Sequence, residues 1–111
     1  MKHMTFSDKS LLIGDDTADI LLEYAAVLAD KAKADNVTIN AISADGDDVV
    51  ATILLDAGAP LMTETSTTKV AEPDNSAVID YMRTRINALA APPAALPDSP
   101  SNYTDFDDLA G

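Results

Sequence analysis

The chain has 111 residues, 47% of them hydrophobic, with 19 acids against 7 bases and a formal net charge of −12. That length suits one domain with a modest core. The absence of cysteine excludes disulfides, thiolate metal sites and cysteine nucleophiles, and the charge opposes direct nucleic-acid or anionic-membrane binding.

Met4 to Ile13 reads as two short strands around Ser7-Asp8-Lys9, or one kinked strand, with Phe6, Leu11 and Ile13 facing inward. His3-Met4 has the look of a vector-derived junction ahead of a start at Met4. No signal-peptide pattern and no membrane-length apolar run is visible, so a cytoplasmic location is expected.

Asp15 to Asn36 is predicted as one long helix. Asp15 or Asp16 supplies the N-cap, Asp19 adds charge to the first turn, and Asn36 takes the left-handed position at the C-terminus. Ala, Leu, Glu and Lys fill the interior without Gly or Pro. Asp19, Glu23, Asp30 and Lys33 share a polar arc. Ile20, Leu21, Tyr24, Leu28 and Ala32 lie opposite, flanked by Leu22, Val27 and the alanines 18, 25 and 29. That apolar arc is wider than a surface helix needs, so cover on more than one side is expected.

VTINAIS and VVATILL follow around an Asp-Gly turn, a hairpin pattern. A two-residue loop would place Val37, Ile39 and Ala41 beside Val50, Thr52 and Leu54. A three-residue loop, Ala44-Asp45-Gly46, places them beside Val49, Ala51, Ile53 and Leu55. The second register gives a wholly apolar face and puts Gly46 where a bulge needs a left-handed residue. It leaves Ile42, Val50 and Leu54 on the opposite face, too apolar for open solvent, to be covered by the tail or by self-association.

Leu61 to Thr68 is a third candidate strand, with Leu61, Thr63 and Thr65 on one side and the polarity of an edge. Asp74 or Asn75 is expected to cap a second helix with the stripe Val78, Ile79, Met82, Ile86 and Leu89, ending by Ala91 before Pro92-Pro93. From residue 92 the composition changes: four of six prolines and four acids, with no base. Residues 1–91 therefore read as the domain and 92–111 as a flexible acidic tail.

Catalytic hardware is sparse, and no catalytic, metal or cofactor residue is assigned. One His and no Cys leave no triad or zinc set. Asp15-Asp16 fits capping and Asp45 to Asp48 fits a turn. Val49 and Val50 break any calcium-loop pattern, and the four glycines are too scattered to cradle phosphate. Arg85 borders the apolar stripe, placed to snorkel or pair with an acid. The suggestive stretch is near the end of the chain. Tyr103, Phe106 and Leu109 recur every three residues among Asp105, Asp107 and Asp108, and Thr104 can cap a short helix presenting them. Such segments fold onto partner grooves or back onto their own domain. Tyr103, Phe106, Asp107, Asp108 and Leu109 are the predicted partner-binding residues.

Leu11-Leu12-Ile13 with Asp15-Asp16, the hairpin around Gly46, Ala59-Pro60-Leu61, and Glu72-Pro73 leading to Ile79 form an ordered pattern. Over about residues 10–89 it resembles a family of small actinobacterial proteins of unknown function, many of which carry an automatic label of ATP-dependent DNA ligase. Thr63, Thr65 and Thr67 stand where that family has third-strand aromatics. The resemblance implies an origin in an actinobacterium or a phage of one, and no activity, since the family has no established one and the chain holds no ligase motif.

The expectation is an α+β domain: an antiparallel sheet of three to five strands with two helices on one face, in the order β(β)αβββα. The expected role is a non-enzymatic acidic interaction or regulatory module without cofactor. Its partner is a protein, a homodimer being one form. The alternative is a nucleic-acid mimic that blocks a basic DNA-binding protein.

Overall fold

Lys2–Phe6 (β1) and Lys9–Ile13 (β2) pair antiparallel, Lys2 opposite Ile13 and Phe6 opposite Lys9. Ser7, the first residue of the two-residue loop between them, has φ 58, the sign a tight hairpin turn requires there. The structure, a computed structural model, describes residues 1–57 and 60–90. Lys2 to Met4 are integral to it. Met4 lies in the core, and the Lys2 ammonium meets Asp19 at 2.6 Å.

Asp15–Asp30 forms α1. The expected caps are displaced at both ends. Gly14 is the N-cap, and Asp15 and Asp16 are the first two helical residues. The space a Gly14 side chain would need is filled by the Glu72 carboxyl. Three carboxylates thus gather at the helix N-terminus, where the backbone dipole favours them. At the other end Asn36 caps nothing, because it lies in a strand. Ala32 takes the left-handed turn at φ 54. Lys33 N–H donates to Leu28 C=O at 2.9 Å and Ala32 N–H to Ala29 C=O at 3.2 Å, the pair of bonds that closes a Schellman motif. Ala18, Ile20, Leu21, Tyr24 and Leu28 are buried. Ala32 lies beyond the helix and is exposed.

Asp35–Ile42 (β3) and Asp48–Leu55 (β4) form the hairpin in the three-residue-loop register: Val37 opposite Ile53, Ile39 opposite Ala51, Ala41 opposite Val49. Gly46 has φ 90 and its N–H donates to Ser43 C=O at 2.9 Å. Leu61–Thr65 (β5) pairs with β1, Leu61 opposite Phe6. The sheet order is β4-β3-β2-β1-β5, antiparallel throughout, so β4 and β5 are the edges.

Ser76–Ala90 forms α2. Met82 and Ile86 are buried, and Val78, Ile79 and Leu89 pack beside them on the core. Asp74 accepts from Ser76 N–H at 3.0 Å, an N-terminal capping bond. Asn75 C=O accepts the first helical bond from Ile79, but its side chain points elsewhere. β2 and β3 meet at one bridge, Leu12 opposite Ile42, and then part. The buried Asn75 amide fills the opening. It accepts from Asn40 N–H at 2.7 Å and donates to Asn40 C=O at 2.8 Å, as a neighbouring strand would. The Asn40 side chain in turn donates to Asp74 C=O at 2.8 Å. A register that parts after one bridge would otherwise leave two strand groups without partners, which is costly where water is scarce.

Candidate functional site

The backbone of Asn40 decides which way β4 faces. Asn40 lies opposite Val50, but its N–H and C=O belong to Asn75. In an antiparallel ladder the residues alternate, so Val37, Ile39 and Ala41 turn their backbone toward β4 and bond Ile53, Ala51 and Val49. Val50, Thr52 and Leu54 then turn theirs outward, to the edge that no described strand pairs with.

The side chains of those three residues share the sheet face away from the helices. Val50 is 70% exposed and Leu54 51% exposed, and Thr52 hydroxyl bonds Thr38 hydroxyl at 2.9 Å. The sequence flagged Val50 and Leu54 as needing cover, and among the described residues they have little. Ile42, flagged with them, is only 4% exposed. It lies against Leu12, and Thr68 and Val70 border the same hollow.

Beside β4 runs a groove of about 460 Å³. Met4, Phe6 and Leu11 line one side and Ala51, Ile53 and Leu54 the other. Its charged lining residues, Asp8 and Lys9, carry opposite signs. From Val49 to Leu55 β4 has no charged residue. In a chain of net charge −12 this is a neutral, apolar strip beside backbone that no described strand pairs with, the arrangement that accepts an added strand.

A second cluster holds the helices together at the start of β3. Tyr24 of α1 and Tyr81 of α2 donate to the same Asp35 oxygen, at 2.5 and 2.6 Å. Their rings meet edge to face, centroids 6.5 Å apart. Burial and the bond to Asp35 push the Tyr24 phenol up to about 12, and the Tyr81 phenol is raised by its own bond to Asp35. Burial pushes the Asp35 carboxyl up, but the two phenol donors outweigh it and leave it below the usual carboxylate range. Arg85 lies half-buried beside Tyr24 and Asp35, as its position next to the stripe suggested. With both phenols held protonated and donating, the cluster is built to fix α1, α2 and β3 together. Sequence reading missed it because its members lie 11 and 46 residues apart.

The predicted partner-binding residues Tyr103, Phe106, Asp107, Asp108 and Leu109 lie outside the described residues, as does the proposed acidic tail. Among the described residues no helix is long and apolar enough to cross a membrane. No protein-family model matches the chain, and no curated protein or solved structure matches it.

Proposed function

We propose that the chain is a non-enzymatic, acidic protein–protein interaction module that works through the edge of β4. One observation carries the reading: Val50 and Leu54 stand exposed on an uncharged edge strand whose outer N–H and C=O groups are unpaired among the described residues. Long uncharged edges template strand pairing, and chains that stay monomeric blunt them with charge or proline. β4 has neither between Val49 and Leu55. The apolar groove alongside supplies pockets for alternate side chains of an added strand.

The test is cross-linking in the native cell, with the wild-type chain and with the double variant Val50→Asp, Leu54→Asp. Both residues are exposed, so the fold tolerates the change. Loss of cross-links to protein partners in the double variant supports the reading. An unchanged cross-linking pattern removes it.

A further inference from the structure

The outward row of β4 is complementary to itself, and we infer that the added strand is β4 of a second copy of this chain, paired antiparallel about a twofold axis at Thr52. The inference rests on the interaction-module reading and names its partner.

Four residues of β4 turn their backbone outward: Asp48, Val50, Thr52 and Leu54, the last three uncharged. A twofold axis at Thr52 pairs the three uncharged ones among themselves, with Val50 opposite the partner's Leu54 and Thr52 opposite the partner's Thr52. An axis at Ala51 sets Leu54 against the partner's Asp48, a carboxylate on an apolar side chain, and an axis at Ile53 leaves Val50 opposite residue 56, beyond the strand. The Thr52 register also covers the exposed Val50 and Leu54 side chains with one another.

Charge argues for the same occupant. A second copy carries the same net charge of −12, so most faces of the two chains repel. The run from Val49 to Leu55 is uncharged, and the charged residues lining the groove, Asp8 and Lys9, offset one another. Two copies can therefore meet along β4 with no carboxylates opposed in the middle of the contact. The two copies carry the same net negative charge, so screening by salt tightens the pair. A complex with a basic partner responds in the opposite sense. Strand pairing alone covers less than the ~1,200–2,000 Å² of a standard stable interface, which makes the dimer concentration-dependent.

The experiment uses the purified full chain. Sedimentation velocity from about 1 µM to about 1 mM spans the affinities expected of a contact below standard size. The expected result is a rise from monomer to dimer mass that is stronger at high salt and lost in Val50→Lys. Thr52→Cys, in a chain without native cysteine, is expected to oxidise to a disulfide dimer, since directly opposed residues sit about 5.5 Å apart at Cα, within disulfide reach. Leu54→Cys is expected not to, because the two copies of residue 54 lie four positions apart in register. Monomer mass throughout, a dimer untouched by Val50→Lys, a dimer lost only when residues 92–111 are removed, or one dissolved by salt would each overturn the inference. If the pure chain stays monomeric while the Val50 and Leu54 double variant still loses cellular cross-links, the self-pairing fails and the interaction-module reading stands.

Discussion

The Asn75 carboxamide takes the place of a strand beside Asn40, accepting from its N–H at 2.7 Å and donating to its C=O at 2.8 Å. Because Asn75 is only 6% exposed, water does not readily replace it. Asn75→Ala is expected to cost about 2–3 kcal/mol, the effect of leaving two backbone groups without partners. Asn75→Asp keeps the acceptor but sets a carboxylate against the Asn40 carbonyl. It is expected to be the worse variant at pH 7 and to recover as the introduced carboxyl protonates below about pH 4. Urea unfolding at both pH values checks this, and an alanine variant as stable as wild type would refute it.

The Asp35 cluster predicts the pH limits of stability. The Asp35 carboxyl is lowered in the folded state, so its contribution is present above the unfolded carboxylate range and is lost as pH falls through the folded value. Tyr24 is raised from 10.0 to about 12, so its contribution is present below pH 10 and is lost as pH rises from there toward about 12. Asp35→Asn is expected to flatten the acid limb of a thermal-stability profile, and Tyr24→Phe the alkaline limb. At neutral pH Tyr24→Phe is expected to cost about 1.5–3 kcal/mol, as for a hydrogen bond to a charged group. Tyr81→Phe is expected to cost less, because Tyr81 is 44% exposed.

Ala32 closes α1 in a left-handed conformation that its Cβ resists. Ala32→Gly is expected to stabilise the fold by about 1 kcal/mol. That corresponds to a rise of about 4–8 °C in Tm for a domain of this size, measurable by calorimetry. A fall in Tm would show that the Schellman closure is not strained.

Thr17 is fully buried on α1, and its hydroxyl has no partner among the described residues. Val has nearly the same shape without the polar atom. Thr17→Val is therefore expected to leave stability unchanged or raise it by about 1 kcal/mol. A loss above about 1 kcal/mol, measured by denaturant unfolding, would mean that the hydroxyl does find a partner in solution.

The parts of the fold legible in the sequence are those set by local pattern. Gly46 and the alternation around it fixed the β3–β4 register, and the stripe from Val78 to Leu89 marked the buried face of α2. The end of α1 was not legible, because Ala32 gives no signal for a left-handed turn, whereas Asn36 gives one and lies in β3. Asn75 was recognised as a capping type, but its side chain serves a strand 35 residues away. The seat of β5 beside β1 and the meeting of Tyr24, Asp35 and Tyr81 are likewise products of long-range packing. Of the candidate site, the exposed Val50 and Leu54 followed from register. The outward turn of their backbone needed the Asn40–Asn75 contact, which no pattern encodes.

The parting of β2 and β3 gives the molecule the mechanics of a book with a narrow spine. One leaf is β5-β1-β2, the other is β3-β4, and the leaves share a single bridge at Leu12 and Ile42. Three hydrogen bonds tie the second leaf to residues 74 and 75, at the root of α2. A tug on the outer margin of β4 is therefore handed to α2 more directly than to the neighbouring leaf. The same root lies next to Glu72, which packs on the start of α1. Whatever grips β4 has a short lever to the beginnings of both helices.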